Sequence, residues 1–310
     1  MALRGVLRLG EVSIRVLDMK AARQHYGTHM GLIETLVDEE GKVYYKCWDE
    51  HDHHCLVLRE ADSAGMDHFA FKVFDDQTLT ELEGKLRAYG IEVEHIAAGV
   101  YPKSGRRLKF LLPTGHTMHL YAEKEQIGNT LGTRNPGVMP DEGVIRGFRI
   151  NRIDHLLIGG DKIDENAKLF QEVFEFDMTE RLEDVDTKAS LSIFVSCSTK
   201  PHDIAFVVQP EPNRFHHVSF LLESVSDLVH AGDLIGKYRI PVEVNSNRHG
   251  ITRGATIYFF DPSGNRNEVF TGGYVHYPDT PTLTWDTSEL GAAAFSQDNT
   301  FRDSFFTVLT

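Results

Sequence analysis

The chain has 310 residues, of which 41% are hydrophobic, and this is enough to build two domains with cores of their own. Its 46 acidic and 32 basic residues give a net charge of −14, and the lack of a basic stripe argues against nucleic acid as a partner. Three cysteines, Cys47, Cys55 and Cys197, form no CxxC pair and leave an odd thiol, as is typical of a reducing cytoplasm. No signal-peptide core and no run of about 18 apolar residues is present, so we expect a cytoplasmic protein without a membrane partner.

The hydrophobic pattern predicts strands and helices in alternation along the chain. Residues 12–16 alternate as a strand, and the helical pattern of residues 19–30 is closed by Gly31. A second helix, 75–89, ends at Gly90, and the strand 153–158 opens the second half. The further predicted helices are 164–174 and 226–234, and the last predicted strands are 256–260 and 265–270.

The two halves of the chain resemble each other. Residues 67–71 match 216–220, and residues 113–121 match 262–270, both at an offset of 149 (217 − 68). Such self-similarity indicates an internal duplication. Within each half a strand, a helix and further strands recur, which predicts four βαβββ modules paired into two domains. A segment rich in Gly and Pro, residues 128–148, reads as the linker between them.

The segment 247–268, NRHGITRGATIYFFDPSGNRNE, is the most informative part of the sequence. Its DPSG stretch predicts a tight turn, because Pro262 sets φ at the first central position and Gly264 tolerates a positive φ. Side chains two apart on a strand share a face, so Glu268 shares a face with Phe270 on the returning strand. A carboxylate in an apolar strand is costly to bury unless a cation meets it, which a metal ion would do.

This segment resembles the signature of the extradiol ring-cleavage dioxygenases of the vicinal oxygen chelate superfamily. The resemblance extends in order through residues 5–18, 57–60, 65–73, 198–206, 216–220 and 306–310, and so covers nearly the whole chain. It implies an α+β fold in which the four βαβββ modules form two barrel-like domains. Residues 1–127 would be a catalytically inactive domain, 149–275 the catalytic metal domain, and 276–310 a tail that closes over the active site.

The resemblance also implies a metal site. It assigns His155, His217 and Glu268 as ligands. Two neutral imidazoles and one carboxylate leave three adjacent positions free on an octahedral divalent ion, as in oxygen-activating ferrous enzymes. We therefore expect Fe(II), and a site of this kind also accepts Mn(II).

Further residues are assigned by the same resemblance. His202 corresponds to an acid-base histidine, and an imidazole suits a task that takes and returns a proton near neutral pH. His249 and Tyr258 correspond to a pair that hydrogen-bonds bound oxygen and the substrate hydroxyl. The residues expected to line the ring pocket, for which core packing is an equally good explanation, are Phe194, Ile251 and Phe305.

The implied activity is extradiol cleavage of catechol or an alkyl-substituted catechol by O₂, giving 2-hydroxymuconic semialdehyde, in a homotetramer. Two alternatives stay open. A glyoxalase-like metalloenzyme would use a related metal cup but would not need His202, His249 and Tyr258 together. A non-catalytic module that binds aromatic compounds would lack the three ligands.

The first half carries related residues in permuted order. The duplication equates Glu11 with His155, His68 with His217, and His119 with Glu268. Lys109 stands at the position of Tyr258, and we expect it to oppose metal binding and to neutralise Glu11. The polar run 51–54, with the sequence HDHH, is expected to form a solvated hairpin between two strands.

Overall fold

The computed structural model describes residues 5–141 and 143–310. Its α-helices are α1 (Met19–Arg23), α2 (Asp76–Tyr89), α3 (Ile163–Phe174), α4 (Val225–Tyr238), α5 (Leu290–Ala294) and α6 (Asp303–Thr307). The strands of the first half are β1 (Val6–Val16), β2 (Ile33–Val37), β3 (Val43–Lys46), β4 (Leu56–Glu60), β5 (Gly65–Val73), β6 (Glu94–Ile96), β7 (Arg107–Leu111) and β8 (Thr117–Tyr121). Those of the second half are β9 (Arg152–Gly160), β10 (Asp177–Glu183), β11 (Ser190–Ser196), β12 (Ile204–Val208), β13 (Arg214–Leu221), β14 (Val242–Arg248), β15 (Gly254–Phe260), β16 (Arg266–Gly272) and β17 (Leu283–Asp286).

The strands form two sheets with the same internal order. The first is 8-stranded, in the order β2-β3-β4-β1-β5-β8-β7-β6, and the second is 9-stranded, in the order β14-β15-β16-β13-β9-β12-β11-β10-β17. Each sheet joins two βαβββ modules through an antiparallel pair, β1 with β5 and β9 with β13. The predicted α+β class and the four modules are confirmed. β17 adds a parallel edge strand beside β10.

The strand register places corresponding residues of the two halves at corresponding points. In β1, Glu11 pairs with Ala70 of β5, and in β9, His155 pairs with Ser219 of β13. Lys109 pairs with His119, just as Tyr258 pairs with Glu268. Each half therefore places its corresponding residues at the same positions of its sheet.

The helices follow their sequence signals with two departures. The predicted helix 19–30 is α-helical only to Arg23 and continues as a π-helix, Gln24–His29, in which the amide of Met30 donates to the carbonyl of His25. The wider turn sets His25 and Tyr26 into the interior, where both are buried. α4 runs to Tyr238, beyond the predicted end at 234, because Ile235 continues its buried face.

The two halves are bound together at the tight turn that precedes Glu268. Gly264 has φ +90° and its amide donates to the carbonyl of Asp261, as the DPSG signal predicts. The buried Tyr26 hydroxyl donates to Asp261 at 3.0 Å, and the backbone amides of Leu17 and Gly65 donate to side chains of the same turn. The first half thus holds the loop that leads into β16.

Residues 128–148 contain no helix or strand where the structure describes them, and the domain boundaries stay a prediction. In the described part of the chain, no helix is both long and apolar enough to cross a membrane.

Candidate active site

The three predicted metal ligands extend from neighbouring strands of the second sheet. β9 carries His155, β13 carries His217 and β16 carries Glu268. Ser219 pairs with both His155 and Glu268, and His217, two residues earlier on β13, shares that face of the sheet. All three ligands are buried, and their ligand atoms lie within 4.8 Å of one another.

His155 is held between two carboxylates. Its Nδ1 lies 2.7 Å from Asp154 Oδ2, and its Nε2 lies 2.9 Å from Glu268 Oε2. Burial alone would lower the pKa of His155, but Glu268 and Asp154 outweigh it and raise the pKa to about 9. Burial would likewise raise the pKa of Glu268, but His155 holds it well below its usual range, so the carboxylate is ionised.

The second imidazole is neutral and has a free nitrogen. Burial lowers the pKa of His217 to about 4. Its Nε2 is buried, lies 3.4 Å from Glu268 Oε2, and has no hydrogen-bond partner among the described residues. A buried nitrogen without a partner is costly unless something binds it. A divalent metal ion would take the place of the proton between His155 Nε2 and Glu268, and two neutral imidazoles with an ionised carboxylate would then form its ligand set.

His202 lies against the ligands. Its ring centroid is 4.0 Å from that of His155 and 5.2 Å from that of Phe194. Burial, together with the neighbouring His155, lowers the pKa of His202 well below its usual range. Its Nδ1 has no hydrogen-bond partner in the part of the chain that the structure describes. A neutral imidazole with a free nitrogen beside the ligand set can accept a proton from a bound group.

His249 and Tyr258 form a hydrogen-bonded pair on the other side. His249 Nδ1 lies 2.5 Å from the carbonyl oxygen of Ala294, which can only accept, so Nδ1 carries a proton. In the neutral ring, Nε2 then accepts from the Tyr258 hydroxyl at 2.9 Å. Burial raises the pKa of Tyr258 well above its usual value, so the hydroxyl keeps its proton. In this arrangement the pair presents only the Tyr258 oxygen, as an acceptor, and the hydroxyl becomes a donor to an oxygen atom near Glu268 when it turns away from His249.

One apolar cavity contains all of these residues. It holds about 670 Å³ that protein atoms do not fill, part of it open to solvent. Phe194, Ile251 and Phe305 line it as predicted, and α5 and α6 complete the wall with residues such as Ala293 and Phe306. The structure thus brings together every residue predicted for the catalytic site of the second half, and their individual roles stay predictions.

Sequence reasoning missed two residues that orient the ligands. Asp154 accepts from the His155 ring, and its position directly before a metal-ligand histidine is the signal that could have identified it. His216 contacts the ring of His217 and the carbonyl of Phe305, which lies 89 residues away in sequence. No local sequence pattern predicts a contact between two residues so far apart in the chain.

The equivalent site in the first half is filled by basic side chains. Burial alone would raise the pKa of Glu11, but Arg107 and Lys124 hold it well below its usual range. Arg107 donates through both Nη atoms at 2.8 Å, and Lys124 Nζ donates at 2.7 Å. The expectation that Lys109 neutralises Glu11 is wrong, because its ammonium reaches Glu94 on the edge strand instead.

The polar run 51–54 also differs from its prediction. Asp52, His53 and His54 are buried rather than solvated. His54 Nε2 lies 3.0 Å from Glu11, and Asp52 pairs with Lys72 at 2.7 Å. The segment 51–54 packs over the buried charged groups of the first half, and its own polar side chains pair with those groups.

A further group, Cys47, Glu50 and Cys55, also places possible ligand atoms within 4.8 Å of one another. Burial raises the pKa of both thiols, so they stay protonated. Thiols bind metal as thiolates, and this group therefore fits a metal ion poorly.

Comparisons with known proteins agree with the fold. Residues 66–125 match the family described as "Catechol 2,3-dioxygenase-like N-terminal domain", and residues 152–269 match "Glyoxalase/Bleomycin resistance protein/Dioxygenase superfamily". The chain is 45% identical over 308 residues to the metapyrocatechase of Pseudomonas sp. (strain CF600), with 99% of each chain covered. A manganese-dependent 2,3-dihydroxybiphenyl 1,2-dioxygenase of Geobacillus genomosp. 3 is 27% identical over 92% of this chain and 91% of that one.

Among solved structures, the 2,3-dioxygenase LapB from Pseudomonas sp. KL28 superimposes with a TM-score of 0.90 at 45% identity, covering 93% of this chain and 99% of that one. The paired βαβββ modules with a ligand cluster on one sheet are the architecture of the vicinal oxygen chelate enzymes. Within that class, the chain belongs to the catechol 2,3-dioxygenase family, and it is an oxidoreductase of the dioxygenase type.

Proposed function

We propose that the chain cleaves catechol or an alkyl-substituted catechol outside the diol, with both atoms of O₂ entering the product, a 2-hydroxymuconic semialdehyde. The reaction would take place at an Fe(II) ion held by His155, His217 and Glu268. The observation that carries the proposal is the convergence of these ligands with the acid-base candidate His202 in one apolar cavity. The relative that is 45% identical is a metapyrocatechase.

The metal ion would supply adjacent positions at which catechol and O₂ are held together and exchange electrons. The protein residues would handle protons and orientation. His202, whose unpartnered Nδ1 lies beside the ligand set, would accept a proton from a catechol hydroxyl and later return it to a developing oxygen anion. His249 and Tyr258 hydrogen-bond to the oxygen atoms and fix the direction of the ring.

The cavity walls favour an uncharged ring. Apart from Glu268, no Asp, Glu, Lys or Arg of the described residues lines it, and Phe194, Ile251 and Phe305 cover its sides. A carboxylate on the substrate would be buried there without a partner, which is costly. Alkyl substituents instead gain from contact with these walls.

The test uses anaerobically purified protein given Fe(II), catechol and then air. We expect a yellow semialdehyde to accumulate with consumption of one O₂ per catechol. A Glu268→Gln variant, which lacks the anionic ligand, should bind little iron and stay colourless. Catechol binding without colour would indicate an aromatic-binding module. If the protein instead converts a thiohemiacetal in a separate assay and takes up no O₂, the result would indicate a glyoxalase-like enzyme.

The metal and the assembly are part of the proposal. Elemental analysis should give one iron per chain, since Arg107 and Lys124 fill the equivalent position in the first half. Manganese is the other possible result, as in the manganese-dependent relative. We further propose a homotetramer in the cytoplasm, and light scattering should give four times the chain mass of 35.0 kDa.

A further inference from the structure

A short chain of hydrogen bonds connects helix α6 with the ligand His217. The Nε2 atom of His216 lies 2.6 Å from the carbonyl oxygen of Phe305, and its Nδ1 atom lies 2.7 Å from Nδ1 of His217. Both rings are buried, with 2% exposure each. His217 Nε2, at the end of the chain, faces Glu268.

The chemistry of each atom fixes where the protons lie. A carbonyl oxygen only accepts, so Nε2 of His216 must carry the proton that it donates to Phe305. A neutral imidazole has a single N–H, and a second proton is disfavoured on His216 because its ring is buried and the Arg266 guanidinium contacts its own backbone carbonyl. Nδ1 of His216 is therefore an acceptor, and Nδ1 of His217 must donate to it. This leaves the lone pair of His217 on Nε2, the nitrogen that points to Glu268.

We propose that His216 is a positioning residue that sets the tautomer and ring orientation of His217 for metal binding, with the Phe305 carbonyl as its anchor. The inference rests on the proposed function, because it takes His217 to be a metal ligand. It makes the C-terminal segment 303–310 part of the metal site as well as part of the cavity wall.

The anchor itself is held in place. The buried Arg266 donates from Nη2 to the carbonyl of Ser304 at 3.2 Å and from Nη1 to the carbonyl of His216 at 3.3 Å. Its guanidinium pairs with Glu243 and lies 5.3 Å from the centre of the Phe305 ring. Arg266 thus contacts both the His216 backbone and the residue directly before the Phe305 carbonyl.

Metal affinity separates this role from simple packing. The His216 ring also packs edge-on against Phe305, with centroids 4.7 Å apart, so any substitution can affect stability. A packing residue would change the unfolding midpoint of the apoprotein. A positioning residue would change the dissociation constant for the metal in protein that is still folded, and outer partners of metal-bound histidines typically contribute about 10–100-fold.

The experiment measures the dissociation constant of the full-length apoprotein for Fe(II) under anaerobic conditions, by competition with a chromophoric chelator. His216→Phe keeps the ring packing and removes both hydrogen bonds. We expect its affinity to fall about 10–100-fold, while saturating Fe(II) restores most activity. In His216→Gln, the side-chain oxygen can still accept from His217 Nδ1, and the side-chain NH₂ group can still donate to the Phe305 carbonyl. This variant should therefore recover part of the metal affinity.

Two controls identify the source of the effect. His116→Phe removes another buried imidazole, which contacts the carbonyl of Arg214 at 3.0 Å, and should leave the metal affinity unchanged. His217→Ala should abolish tight binding, and if it does not, the proposed ligand set is wrong rather than the role of His216. His216→Met, with a flexible side chain, replaces the Phe variant if that variant does not fold. Wild-type affinity in the folded Phe or Met variant would overturn the inference.

Discussion

The buried ion cluster of the first half gives a sharp test of what that half does. Glu11 is fully buried and faces two equally buried cations, with Arg107 at 2.8 Å and Lys124 at 2.7 Å. Glu11→Gln keeps the shape of the side chain but leaves both cations without a counter-ion. Removing one partner of a buried ion pair costs about 3–5 kcal/mol, because an uncompensated charge stays buried. With a second cation in the same cluster, we expect the upper part of that range.

Denaturant unfolding of metal-free wild type and variant measures this cost directly. A loss of about 3–5 kcal/mol would lower the thermal midpoint by roughly 6–20 °C, at about 2–4 °C per kcal/mol for a protein of this size class. The content of bound iron in folded protein should stay at one per chain. Arg107→Met serves as the matched control, because it leaves Glu11 paired with Lys124 and should cost less. A loss below about 1 kcal/mol for Glu11→Gln, or a loss of bound metal, would refute the structural role of the cluster.

Three further predictions concern other parts of the molecule. His202→Phe should keep iron bound while turnover slows by about 10²–10⁴-fold, and loss of iron measured by elemental analysis would contradict its assignment. Glu180 accepts from the amide of Thr252 at 2.6 Å and from Trp285 Nε1 at 2.8 Å. Glu180→Gln should therefore lower the free energy of unfolding in denaturant by about 1–3 kcal/mol and raise KM. Unchanged values of both quantities would contradict this prediction. Burial lowers the pKa of His116 from 6.5 to about 4, so its neutral form favours folding above pH 6.5 and this stability is lost as the pH falls towards 4. The difference in the free energy of unfolding between pH 8 and pH 5 should be about 2 kcal/mol smaller in His116→Gln than in wild type. The same pH dependence in both proteins would contradict this prediction.

The parts of the fold that depend on local pattern could be predicted from the sequence. The alternating strands, the helix end at Gly90 and the turn at Gly264 each follow from a nearby signal, and the structure has them. The helix 19–30 was only partly right. Its change to a π-helix depends on contacts of His25 and Tyr26 with Asn267, more than 240 residues away.

The site shows the same division. The ligands and cavity residues could be named because several segments along the chain resemble one enzyme family, and the structure brings them into one cavity. The charged partners of Glu11 in the first half could not be predicted in this way. Arg107 and Lys124 meet Glu11 across 96 and 113 residues, and the sequence offers Lys109 as an equally reasonable partner. Only the path of β7 and β8 decides which basic group is buried.

The hydrogen bonds from the first half to the turn before β16 give a half without the proposed chemistry a structural role. Asp261 and Asn265 are buried against Tyr26, Arg15 and Gly65. Without that half, these polar groups would lose their partners, and the turn that fixes the start of Glu268's strand would have no support. Truncation of the chain to its second half would therefore remove this support together with the equivalent site of the first half.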